Sequence, residues 1–519
     1  MNKQIRWGII LQYVQLFLDI IIHLVYMHYV IRILGQSEYG LYNFSSSIIS
    51  YLSLFSLGIG SAYLRFYARY KVKNDENGIA KLNGLYLILF LIMGAVALIS
   101  GLLLSFNVKI LFNETYTEAQ LHTAKILMLF LTINIFWSFV VSVFNSYITS
   151  QEKFIWHKIV MIVKTILSPA LCIVALLMGH GSIGLVVCTT IVTALIDITN
   201  IVYCLAKLKI KFKFGKIEKS LFKEIFVFSL FIAINQIVDQ INWQADKVIL
   251  GKILNASVVA VYAVAATINT VYLQFSTAVS HVFVPKVNMI VQKNEPNVDN
   301  QLTDLMIKVG RIQFFMIMLI LTGFIFFGKY FINLWAGSDY KEAYYITLCL
   351  IVPVTIALIQ NLGIEVQRAK NQHKFRSIVY LIMAILNIGI SIGFCYLWGA
   401  IGVALGTTIA LIVANGFIMN IYYHKVLKLD MLKFWKSILQ ASLAMLIPVA
   451  FGVLLTIFYS FANIYVYLLL IVVYTIIYAI SVYFVGLNRK EKRYINVTIS
   501  RLFKRKNKVS EVANDSNKE

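Results

Sequence analysis

Asn242-Trp243-Gln244-Ala245-Asp246-Lys247-Val248-Ile249-Leu250-Gly251 lies at the centre of a stretch, Ser229 to Pro285, that reads as two apolar helices joined by a short turn. The first helix is unusually polar for its length. Asn235, Asp239, Asn242 and Asp246 recur at steps of four, three and four, which stacks them on one helical face, with Lys247 one position away. The second helix repeats the device with Thr267, Thr270, Gln274, Thr277 and His281. An ionisable group in hydrocarbon costs about 2.5 kcal/mol or more, so such faces must meet protein or water rather than lipid.

The surrounding composition supplies the lipid. Hydrophobic residues make up 60% of the 519 and charged residues 13%, about half the charge of a soluble domain, and mean hydropathy is +0.79. Apolar runs of about 20 residues recur from end to end, each long enough to span a bilayer, and they are continuous rather than alternating. Fourteen such runs are expected, the first over 7–31 and the last over 463–486. The fold class is therefore an all-α integral membrane protein. The first run is too long for a signal-peptide core and should remain as helix 1.

A net charge of +23 first suggests nucleic acid, but the placement of the basic residues argues otherwise. They concentrate in alternate connections, as in Lys207, Lys209, Lys211, Lys213, Lys216 and Lys219, while the other connections hold little beyond Arg32, Lys109, Lys252, Lys329 and Lys341. That bias marks one membrane side as cytoplasmic and places both termini there. No nucleic-acid partner is expected, and membrane lipids are. The five cysteines lie inside apolar runs without CxxC spacing, so neither a disulfide framework nor a zinc site is expected.

The halves of the chain repeat. Ile33-Leu34-Gly35 recurs as Ile249-Leu250-Gly251, Gly40-Leu41-Tyr42 as Ala260-Val261-Tyr262, and Gln151 to Phe154 as Gln372 to Phe375. Thr189-Thr190-Ile191 recurs as Thr407-Thr408-Ile409. All these separations lie between 216 and 221 residues. A six-helix repeat enters the membrane in the same sense both times, so two lobes related by a pseudo-twofold along the membrane normal are expected, with a cavity between them. The boundaries read as an N-terminal lobe over 1–205 and a basic linker over 206–221. A C-terminal lobe over 222–424 follows, then two further apolar helices over 425–487 and a basic-to-polar tail over 488–519. The repeat lays Asp19 and His23 of helix 1 on Asn235 and Asp239, and Ser47 and Ser50 on Thr267 and Thr270. The expected cavity residues are thus Asp19, His23, Asn235, Asp239, Asn242, Asp246, Lys247, Thr270, Gln274 and His281. A carboxylate one turn from a histidine suits a coupling proton or cation; the ion, H+ or Na+, stays open.

Enzyme signatures are absent: Gly323 to Lys329 mimics a phosphate-binding loop but lacks the Ser/Thr, and no HExxH or GxSxG occurs. No cofactor is expected. A membrane polymerase or glycosyltransferase would need catalytic residues in a sizeable loop, which the short connections do not offer.

Leu34-Gly35-Gln36-Ser37-Glu38-Tyr39-Gly40-Leu41-Tyr42, continuing to Leu57-Gly58-Ile59-Gly60 and Arg65-Phe66-Tyr67-Ala68, resembles the opening signature of the Wzx-like polysaccharide-biosynthesis flippases. These form a branch of the multidrug/oligosaccharidyl-lipid/polysaccharide exporter superfamily. Ala245-Asp246-Lys247 through Gly251, followed by Tyr262, is similar to the same family's helix 7–8 signature. The resemblance implies a fourteen-helix, two-lobed transporter of the bacterial plasma membrane. It would move undecaprenyl-pyrophosphate-linked oligosaccharide to the outer leaflet for surface polysaccharide (capsule or exopolysaccharide) synthesis. It also implies partners in the polysaccharide polymerase and chain-length machinery, and a place for Arg65 beside the pyrophosphate. Helix 1 has no arginine between Trp7 and Ile31, so the arginine cluster of the lipid II flippase branch is not carried over. The alternative in the same fold is a cation-coupled multidrug exporter.

Overall fold

The computed structural model describes residues 3–215, 219–293, 295–459, 463–489, 491–493 and 496–497. Most of the basic tail and linker residue Lys216 lie outside these. Among the described residues eleven helices are long and apolar enough to cross a membrane, and a twelfth forms if the bent pair Ala343–Ile359 and Asn361–Ala369 is one span. Two of the eleven, Val14–Val72 and His373–Lys425, are 59 and 53 residues long, far beyond the roughly 20 that one crossing needs. Each contains a non-helical break, at Gly35 (φ 70°) and at Trp398-Gly399 (Gly399 φ 58°). Divided there, each supplies two crossings, and the described residues carry the fourteen expected.

In chain order the crossings are α1 (3–34), α2 (36–72), α3 (Glu76–Phe106), α4 (Glu118–Ser150), α5 (Phe154–Leu177), α6 (Gly181–Lys207) and α7 (Lys219–Ile253). Then come α8 (Ala256–Gln292), α9 (Val298–Trp335), α10 (Ala343–Ile359 with Asn361–Ala369, bent by 44°), α11 (373–397), α12 (400–425), α13 (Met431–Phe458) and α14 (Ile464–Gly486). Several run past their apolar cores, because a helix keeps its backbone hydrogen bonds when it leaves hydrocarbon and polar side chains then cost nothing. Their starts follow ordinary capping chemistry. Thr117 and Gln120 form a capping box at α4, and Asp75, Asp430 and Asn463 each accept a backbone N–H at α3, α13 and α14.

Two compact units emerge from the packing: Met1–Val271 with Ile332–Pro353 and His373–Ala414, and Tyr272–Phe331 with Val354–Gln372 and Asn415–Glu519. In the first unit α2 breaks at Leu57-Gly58, both left-handed. A Cβ on Gly58 would lie 2.6 Å from the Ile232 side chain, so glycine there lets α2 turn against α7. Gly40 brings α2 onto the start of α8, where a Cβ would overlap the Ala256 carbonyl.

The second unit is pinned by Arg311 of α9, which is 4% exposed. Its guanidinium donates to both Glu491 carboxylate oxygens at 2.8 Å, to Ser437 O at 3.0 Å and to Gly486 O at 2.6 Å. Along α13 and α14, Leu432, Leu439, Leu446, Ile457, Leu469 and Val472 are exposed. Aliphatic side chains in such numbers face lipid tails, not water. The five cysteines are unpaired.

Candidate functional site

Helix α7 presents two different polar faces. Gln236, Gln240 and Gln244 recur every four residues and meet the serines of α2. Ser56 Oγ donates to Gln236 Oε1 at 3.3 Å, Gln240 Nε2 donates to Ser50 Oγ at 2.6 Å, and Ser47 Oγ donates to Gln244 Oε1 at 2.9 Å. The ladder fixes α7 beside α2 through amide–hydroxyl bonds at close approach, as small polar residues do between membrane helices. It continues beyond Ser229, where the Arg65 guanidinium sits 4.8 Å from the Phe228 ring centre and Arg69 holds both Glu224 oxygens, at 2.7 and 2.8 Å.

The Asn/Asp stripe forms the second face, and it changes character along the helix. Near the Gly251 end Asp246 is 5% exposed. Its Oδ2 accepts from the Tyr262 hydroxyl of α8 and from Thr407 Oγ1 of α12 at 3.0 Å. Asn387 Nδ2 of α11 donates to the same Thr407 oxygen at 3.2 Å, and Ser391 Oγ donates to Asn387 Oδ1 at 3.1 Å. One carboxylate thus terminates a hydrogen-bonded chain drawn from four helices. Towards Ser229 the same stripe opens: Asn235, Asp239 and Asn242 are exposed, with Asn235 Oδ1 accepting from Ser377 Oγ of α11 at 2.9 Å. Lys247, beside the stripe, is half-buried.

Asp19 of α1 is turned to α5, where Thr165 Oγ1 donates to its Oδ1 at 2.7 Å. Gln15 Nε2 approaches its Oδ2 at 3.5 Å, and Lys158 Nζ donates to Gln15 Oε1 at 3.3 Å. His23, one turn along, is exposed. Thr270 is half-buried and donates to the Ala266 carbonyl of its own helix at 2.9 Å. Gln274 (half-buried) and His281 (exposed) belong to the second unit.

Among the described residues no group of three or more His, Cys, Asp or Glu side chains is placed to hold a metal ion. The oxygens gathered at Asp246 are hard donors carrying a single negative charge, a set that suits a monovalent cation or a proton better than a divalent ion.

A family model described as "Polysaccharide biosynthesis protein" matches residues 8–291. The chain belongs to that family. Its architecture is shared by solved transporters. A lipid II flippase MurJ in an inward closed conformation matches with a TM-score of 0.72 at 20% identity, over 92% of this chain and 97% of that one. An inward-facing multidrug resistance MATE family transporter of the MOP superfamily matches at 0.60 and 17% identity, over 76% and 92%. A mutant form of the Vibrio cholerae MATE transporter VcmN matches at 0.57 and 14%, over 82% and 97%. No curated protein matches the chain.

In this polysaccharide-biosynthesis family member the structure adds residues that the helical stripes do not reveal. Gln236, Gln240 and Gln244 have their own four-residue period, a signal present in the sequence but overshadowed by the acidic stripe beside it. Thr407, Asn387 and Ser391 join Asp246 only through tertiary packing, since they stand about 140 to 160 positions away in the chain.

Proposed function

We propose that the protein is a flippase for undecaprenyl-pyrophosphate-linked oligosaccharide. It would carry the glycan headgroup from the cytoplasmic to the outer leaflet of the bacterial plasma membrane by alternating access, with both termini cytoplasmic. Family membership supports a role in polysaccharide biosynthesis, and the MurJ and MATE-like fold supports transport rather than catalysis. The observation that carries the reading is the exposure of Asn235, Asp239 and Asn242 on a membrane helix. Exposed to lipid, they would cost several kcal/mol; exposed to a polar path, they exchange hydrogen bonds with sugar hydroxyls. His23 and Arg65, also exposed, extend the same chemistry along α1 and α2. Lys247 and Thr270 complete the proposed path in the first unit, Gln274 and His281 are proposed cargo contacts of the second, and Asp246 and Asp19 are the groups proposed to exchange the coupling H+ or Na+.

The deciding experiment is leaflet translocation of a fluorescent prenyl-pyrophosphate glycan in proteoliposomes, with and without imposed proton and sodium gradients. Headgroup transfer that depends on protein and on one gradient is expected. Gradient-driven efflux of cationic drugs without glycan transfer would favour the multidrug reading instead.

A further inference from the structure

We propose that the first unit contains a pocket for a phosphate ester, built where the chain leaves α6 and runs back across the ends of α2, α3 and α4. Residues 208–215 form no helix and act as a strap. Lys213 N donates to Ala80 O at 2.9 Å, and Asn83 Nδ2 donates to Lys211 O at 2.9 Å. Ile210 is buried, and the Phe212 ring lies 5.8 Å from that of Phe144. Gly84 leaves no room for a side chain, since a Cβ there would stand 2.4 Å from Lys213 O. The strap is held by its backbone and apolar side chains and, among its lysines, by Lys213, whose Nζ donates to Asn77 Oδ1 at 3.1 Å.

Two of those lysines line a cavity of about 290 Å3, together with Lys71, Tyr67, Tyr147 and Gln151. That is room for roughly ten waters, which accommodates a phosphate with a small organic group but not a lipid-linked oligosaccharide. Lys71, Lys209 and Lys211 bring three positive charges. Glu76, on the same wall, pairs with Lys211 at 3.5 Å with both side chains largely exposed, a contact too weak to neutralise the site. Tyr67, 3% exposed, packs its ring beneath the cavity. Tyr147, 6% exposed, accepts from Gln151 Nε2 at 3.0 Å, which leaves its own proton to give. One phenol donor, Tyr147, and three ammonium groups lining one cavity are what an anion with several oxygens requires. The ligand is a phosphate ester, supplied either by a soluble metabolite or by an anionic phospholipid headgroup. All of these residues belong to the first unit and none is on α7, so the pocket stands independently of the transport reading.

The test uses the purified full-length chain in detergent. Thermal unfolding is followed against inorganic phosphate, glycerol 3-phosphate and dihexanoyl-phosphatidylglycerol, each compared with sodium chloride at matched ionic strength. A saturable rise in Tm with at least one of the phosphates is expected. The midpoint should move at least tenfold higher in the Lys71→Gln/Lys209→Gln variant and about threefold higher in Tyr147→Phe, which keeps the ring. A response to the soluble phosphates alone names a metabolite, and a response to the lipid alone names a headgroup. An equal rise in sodium chloride, no rise at all, or an unmoved midpoint in the lysine variant overturns the proposal.

Discussion

Gln240 Nε2 donates to Ser50 Oγ at 2.6 Å, joining α7 to α2 midway along a ladder of three glutamine–serine contacts. Such bonds between membrane helices contribute about 0.6 kcal/mol on average and up to about 1.7. In a double-mutant cycle, Ser50→Ala and Gln240→Leu should therefore couple by about 0.5–1.5 kcal/mol in chemical unfolding. Strict additivity would show that the contact does not persist in the membrane.

Asp246 has two hydroxyl donors in a buried setting. Asp246→Leu strands the Tyr262 and Thr407 hydroxyls and should cost about 2–4 kcal/mol, read as a fall in thermal stability. Asp246→Asn retains an oxygen acceptor and should fold close to normally. Its expected signature is functional: translocation that no longer responds to the imposed ion gradient. An Asn variant with unchanged gradient dependence removes Asp246 from the coupling role.

Asp239 is exposed on the open part of the stripe. Asp239→Ala should still give a folded protein at normal membrane levels, checked by size-exclusion profile in detergent. Glycan translocation should nevertheless drop at least tenfold at equal membrane levels. Undiminished transport by a normally expressed Asp239→Ala protein would take this residue off the proposed path.

Arg311 is buried with its charge answered by Glu491 and two carbonyls. Removing one partner of a buried pair leaves the other uncompensated. Glu491→Ala and Arg311→Met should each lower stability by about 3–5 kcal/mol, seen as lost expression or early aggregation on heating. The double variant should be milder than the sum of the two. Additive losses would mean the pair is solvated.

The membrane architecture was legible because its signal is one-dimensional. A bilayer demands about 20 apolar residues per crossing whatever the neighbours, and Gly35 and Trp398-Gly399, where the long helices break, follow from the same spacing. The acidic stripe of α7 was legible for a similar reason, since positions three and four apart share a face in any helix. Its division was not legible. Asp246 and Asp239 lie on the same face at a spacing of seven, yet one is enclosed by Tyr262 and Thr407 while the other stands open.

By itself, then, the sequence determined how many times the chain crosses the membrane, which helices carry polar faces, and the family signatures in α2 and α7. The tertiary structure decided what each face meets: serines of α2 for the glutamines, Thr165 for Asp19, and a four-helix hydrogen-bonded chain for Asp246. The reason is that helical periodicity fixes the direction of a side chain relative to its own axis only. Which helix stands in that direction depends on packing between segments more than a hundred residues apart.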